Sequence, residues 1–140
     1  MANAVYNYAK AELLRGHIAL DTDTIKVALV TSSYSPDIDT HENFDDISNE
    51  VSGTGYTAGG ADLASKAVSK DTTDDEGVFD AADLTWSSAS ITARAAILYR
   101  SSGVAATSQL IAYIDFGEDK TASGGDFTIQ WNAEGILNLG

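Results

Sequence analysis

Residues 93–116, ARAAILYRSSGVAATSQLIAYIDF, decide the fold. They read as two apolar strands, Ala93–Tyr99 and Leu110–Phe116, joined by a loop of small residues, Ser101–Gln109. The run Ala95-Ala96-Ile97-Leu98-Tyr99 is apolar on both strand faces, the pattern of a strand covered on both sides. In the second strand Leu110, Ala112, Ile114 and Phe116 share one face, and Ile111, Tyr113 and Asp115 share the other, which borders solvent. No stretch of similar length carries more apolar surface. The rest of the chain must therefore pair with this unit or cover it.

Downstream, Gly117–Gly125 reads as a polar turn. Phe127, Ile129 and Trp131 alternate with Thr128 and Gln130 as a half-buried strand, and Ile136–Leu139 closes the chain as a short strand or tail. Upstream, Val78–Ala81 and Leu84–Ser87 read as short strands about a turn at Ala82-Asp83, and Ser88–Thr92 as a link. Trp86 is expected in the core, with its indole N–H seeking a partner. Ala61–Lys70 alternates as one strand, although its alanines leave a helix open. Thr24–Thr31, TIKVALVT, is β-branched and nearly continuous in apolar character, so it is a central strand. His41–Ile47 forms a short helix capped by Thr40, with Phe44 and Ile47 turned inward. Residues 3–15 form an amphipathic helix with Val5, Ala9 and Leu13 on its apolar stripe and Asn7, Lys10 and Glu12 on its polar face. Asn3 is its N-cap and Gly16 its stop. This helix packs on its own sheet or docks on a neighbouring subunit.

The sum is one helix, a second short one and seven to nine strands within a single domain, residues 1–140. That predicts a mainly β fold, a jelly-roll-like β-sandwich with the N-terminal helix packed on it. Helices do not alternate with strands, which argues against a doubly wound α/β sheet.

Composition narrows the partners. The 140 residues are 44% hydrophobic, close to the globular norm. Twenty-one acidic against eight basic side chains give a net charge of −13. Nucleic acid and anionic membrane both repel such a surface, so neither is an expected partner. The charge suits solubility, or docking on a basic surface. The absence of cysteine excludes disulfides, zinc–thiolate sites and cysteine nucleophiles. No apolar run approaches the roughly 18 residues of a membrane span, and MANAVYNYAKAELL lacks the basic and apolar regions of a secretory signal.

No catalytic constellation stands out, and no enzyme activity is expected. Gly53-Thr54-Gly55-Tyr56-Thr57-Ala58 matches the dinucleotide pattern GxGxxA, but polar loop residues precede it and Gly59-Gly60 follows it, where the pattern needs a strand and a helix. A surface loop or strand edge is the expectation there. Asp71, Asp74 and Asp75 lie in an acidic turn that could offer oxygens to calcium. The EF-hand spacing fails, because Glu76 stands where its glycine belongs. Solvated carboxylates are the expectation, a calcium ion the alternative, and no other cofactor is implied. His17 and His41 lack ligand-spaced partners, and no GxSxG elbow occurs. Among the aromatics, Tyr6, Tyr8, Tyr34, Phe44 and Tyr56 are the candidate contact residues for a neighbouring protein, since tyrosine is enriched at interfaces. The alternative is that they cap the edges of the core.

The helix with Tyr6, Ala9-Lys10 and Leu13-Leu14, the strand Thr24–Val30, then Tyr34, His41 and Phe44 form a run of motifs. Further on come Gly55–Gly60, Asp83 with Trp86, Ala96–Tyr99, Leu110–Asp115 and Gly124–Trp131. Together these stretches resemble a family of small tailed-bacteriophage virion proteins. The likeness spans nearly the whole chain, with one departure at Ser108-Gln109, where relatives often have Ser-Pro. Its motifs are structural. It implies a virion structural protein, best a capsid decoration (cement) protein on the capsid exterior, made in the host bacterial cytoplasm. The implied partners are the phage major capsid protein and further copies of the chain in a closed homo-oligomer such as a trimer. The alternatives are a tail or head–tail connector component, or a receptor- or glycan-binding module of the virion.

Overall fold

The computed structural model describes residues 3–140. In chain order it comprises β1 (Ala4–Val5), α1 (Asn7–Arg15), β2 (Ile25–Val30), β3 (Ala61–Asp62), β4 (Ala67–Asp71), β5 (Glu76–Asp80), β6 (Leu84–Arg100), β7 (Leu110–Ile129) and β8 (Leu137–Leu139). Single 3-10 turns lie at Phe44–Asp46 and Ala105–Thr107. The fold is a β-sandwich with an N-terminal helix. Its sheets are unequal: five strands in the order β1-β7-β6-β2-β3, and three in the order β4-β5-β8, all antiparallel.

The apolar pair of residues 93–116 is the centre of the large sheet, and it is longer than the sequence predicts. Strand β6 runs unbroken through Ser88–Thr92, and β7 runs through Gly117–Gly125. Both segments read as link and turn because they are polar and glycine-rich. In the structure those residues make bulges. The ladder shifts register between Trp86 and Ala89, between Ala89 and Ser90, and between Ala93 and Ala95. Ser88, Gly117 and Gly124 take positive φ values of 50°, 83° and 77° at these irregularities. A bulge leaves one strand with extra residues, bends it and re-aims its side chains. The bend brings Phe116 round onto Phe127, with ring centroids 6.2 Å apart.

Strand β2 lies between β6 and the short edge strand β3 in the large sheet, and every residue but Lys26 is buried, as its continuous apolar run predicts. Ala61–Lys70 is not one strand. Ser65 takes a φ of 54°, which splits the stretch into β3 on the large sheet and β4 on the small one. Residues 3–15 are also divided. Ala4 and Val5 pair with Tyr113 and Ala112 as an edge strand, so the helix begins only at Asn7. Asn3 is not its cap; the Asn3 side chain instead accepts the Asp115 N–H at 2.8 Å. Gly16 does end the helix, in the left-handed conformation that Gly adopts without steric cost. The short helix expected over His41–Ile47 is a 3-10 turn entered from Asn43, not Thr40, and the Asp46 carboxylate accepts the N–H groups of Glu42 and Asn43.

Candidate functional site

Among the aromatic candidates, Tyr6, Tyr34 and Tyr56 are buried in the core. This corrects the expectation that they present their rings to a neighbour, and each hydroxyl has an internal partner. The Tyr6 and Tyr34 hydroxyls lie 2.8 Å apart, and Tyr34 reaches His41 Nδ1 at 2.9 Å. The Asp37 backbone N–H also donates to that nitrogen, so Nδ1 carries a lone pair. Tyr34 therefore donates to His41, and Tyr6 donates to Tyr34. Burial raises the pKa of both phenols. The chain of bonds ties the 31–47 segment to the start of α1. Tyr34→Phe leaves the Tyr6 hydroxyl without its acceptor, so it is expected to cost about 1–3 kcal/mol in urea unfolding, whereas the exposed Ser33→Ala should cost less than about 0.5 kcal/mol.

Tyr56 serves a different seam. Its hydroxyl donates to Glu50 Oε2 at 2.6 Å and accepts the Leu29 N–H at 2.9 Å. Its ring sits 5.9 Å from that of Trp86. Phe44 is half-buried and stacks on Tyr99 at 4.2 Å. Tyr99 donates to the Gly59 carbonyl, and burial pushes its phenol up to about 12. Tyr8, on α1, is half-buried, and the five do not converge on one surface.

The glycine-rich stretch 53–60 is a strap laid on the large sheet. Thr54 bridges to Ser90, and the Gly59 N–H donates to Glu50 Oε2 at 2.7 Å. At Gly55 an added Cβ would fall 2.7 Å from the Ala89 Cα. Close approach of two backbones accounts for the glycines that mimic a dinucleotide fingerprint.

Sequence reading placed Glu12 on the polar face of the helix. It is buried at 4% exposure, held by Arg15 Nη1 at 2.8 Å, His17 Nδ1 at 2.9 Å and Gln109 Nε2 at 2.7 Å. Gln109 also accepts from Arg100, which pairs with Asp23 at 2.8 Å. This chain of polar groups joins the C-terminal end of α1, the 17–24 connector and the tip of the β6–β7 hairpin. At this end of the molecule Leu14 is 87% exposed and Val104 59% exposed. The pairing spans 97 residues of sequence. Its one local signal was that Glu12 falls beside Ala9 and Leu13 on the apolar stripe.

The Arg15 and His17 hydrogen bonds hold the Glu12 carboxyl below its ordinary value of 4.5. A carboxyl depressed in the folded state stabilises the fold above 4.5 and loses that contribution as pH falls through its folded value. Asp46 moves the same way through its backbone donors. Urea midpoints are therefore expected to fall on acidification below about pH 4.5. Glu12→Gln should start lower at neutral pH and fall less steeply.

Asp71, Asp74 and Asp75 lie in the β4–β5 turn, where the Asp71 carboxylate accepts the N–H groups of Thr73 and Asp74. Among the described residues no group of three or more His, Cys, Asp or Glu is placed to hold a metal ion. The described residues leave open grooves on the surface. One, about 390 Å³, lies along β7 between Phe116, Lys120 and Asp126–Gln130. A smaller one, about 140 Å³, lies between β1, β7 and the Ile136–Leu137 segment. Trp131 closes the far end of the hairpin, its indole N–H donating to the Ala82 carbonyl at 3.0 Å.

Compared with known protein families, curated proteins and solved structures, the chain finds no match.

Proposed function

We propose that this chain is a structural protein of a tailed-bacteriophage virion, a decoration protein that binds the major capsid protein lattice and stabilises the head. The observation that carries the reading is the near full-length likeness in motif, together with where those motifs fall. The stretches Ala96–Tyr99 and Leu110–Asp115 are the paired centre of the large sheet. Gly55–Gly60 is the strap on it, and Gly124–Trp131 is the end of β7 with the two residues that follow it. A likeness built of scaffold residues speaks for a shared framework whose task is binding.

The chemistry supports the same reading. The excess of acidic side chains suits a body that meets basic patches on a shell. Many copies on a lattice make weak contacts effective through multivalency. The phage that encodes this chain, grown with its gene interrupted, should yield particles that release DNA at a lower temperature than wild type, with the loss restored by adding the purified protein. Unchanged heat release would overturn a stabilising role.

A further inference from the structure

We propose that the open edge of β7 over residues 120–129 accepts an extended, basic segment of a partner polypeptide by β-strand addition. The partner's identity as a capsid subunit rests on the virion reading; the acceptor edge does not.

Strand β7 has β6 on one side except at the bulged residues 116–119. On its other side β1 covers Ala112 and Tyr113 and the Asn3 side chain holds the Asp115 N–H, and among the described residues no strand pairs with residues 120–129. The direction of the free groups follows from β6. Ser90 sends its N–H away from β7, to the Thr54 carbonyl at 2.9 Å. The Ser90–Ser123 pair is thus a non-hydrogen-bonded pair, and so is Thr92–Thr121 two residues on. The main-chain groups of Ser123 and Thr121 point out of the open edge, and both residues are exposed.

The groove of about 390 Å³ lies along this edge. Asp126 to Ile129 of β7 line it, with Gln130 just beyond the strand and Phe116, Lys120 and Thr121 across from them. Consecutive residues point to opposite faces of a strand, so a wall that takes in four in a row is the strand's edge and not its face. Phe116 and Phe127 supply the apolar floor. Main-chain donors beside an apolar floor are the two parts of a strand-addition site.

Charge selects the occupant. Asp126 on this edge, and Glu118 and Asp119 in the bulge just before it, stand against Lys120, which already pairs with Glu118 at 2.7 Å, and Arg94, which pairs with Asp115 at 2.9 Å. The local excess is negative, which favours lysine and arginine in the incoming segment. It disfavours a second copy, whose edge carries the same charges.

The test uses the ¹⁵N-labelled full chain and a synthetic peptide of about nine residues alternating lysine and valine. Expected are shifts and slowed amide exchange at Thr121, Ser123 and 126–130. N-methylation of alternate peptide nitrogens should weaken binding about tenfold or more, because the ladder cannot form. Ser123→Pro should remove binding while the melting temperature stays within a few degrees, since the lost N–H has no internal partner. Asp126→Lys should weaken it severalfold at low salt. Equal binding of the N-methylated peptide, shifts confined to the 71–76 turn, or no shift at millimolar peptide would each overturn the proposal. So would a concentration-dependent dimer abolished by Ser123→Pro, which would make a second copy the occupant. Peptide binding by a chain absent from virions would leave the edge standing and remove the virion reading; shell occupancy without peptide binding would do the reverse.

Discussion

Gly60→Ala is expected to leave the chain without a stable fold. Gly60 sits at a φ of +79°, where an L side chain is strained. The larger cost is steric. An added Cβ would lie 1.8 Å from the Val27 carbonyl oxygen and 2.5 Å from its carbon. These are backbone atoms of β2, the most buried strand of the large sheet, and no rotamer change relieves the contact. The strap must lift off, taking with it the Tyr56 and Gly59 bonds to Glu50 and the Leu29 N–H bond to Tyr56. A loss above about 4 kcal/mol is expected, enough to remove most of the stability of a domain this size. Circular dichroism of the purified variant, or its failure to appear in the soluble fraction, checks it. Gly103→Ala is the matched control: φ is also positive, +88°, but nothing lies within 4 Å of the added atom. It should cost only about 1 kcal/mol.

The second large effect is expected from Ile97→Ala. Ile97 is fully buried near the C-terminal end of β6, paired with Ala28 of β2 on one side and Tyr113 of β7 on the other. Its neighbours on both sides are strand residues fixed by ladders, so the space it leaves cannot collapse. The loss should approach the upper part of the range for such truncations, about 3–5 kcal/mol, read as a lower urea midpoint at unchanged slope. Leu14→Ala removes an isomeric apolar side chain from the surface and should stay within about 0.5 kcal/mol of wild type. At its exposed position Leu14 contributes to binding if to anything.

The central strands were legible because their signal is local. A continuous apolar run such as Ile25–Val30 or Ala95–Tyr99 has one economical solution, a strand covered on both faces. The curved half of the hairpin was not legible. Ser88–Thr92 and Gly117–Gly125 have the polarity and glycine content of turns, and a glycine at positive φ serves a bulge as well as a turn. Only the partner strand decides between them. The same limit explains the aromatics. Tyr6, Tyr34 and Tyr56 lie in polar local sequence, yet each hydroxyl meets a partner well outside its own turn, Tyr6 with Tyr34 and Tyr56 with Leu29 and Glu50. A tyrosine's burial depends on whether such a partner exists, which composition cannot reveal. Glu12 was misplaced for the converse reason: a charge on an apolar stripe is buried only when counter-charges and donors such as Arg15 and Gln109 close around it.

The virion reading is tested most directly by counting copies of the chain per particle, by quantitative mass spectrometry of purified virions against the major capsid protein. A decoration protein gives a ratio near one, or a simple fraction of it. A few copies per particle would place the chain at the tail or connector instead, and its absence from particles would contradict the virion reading altogether.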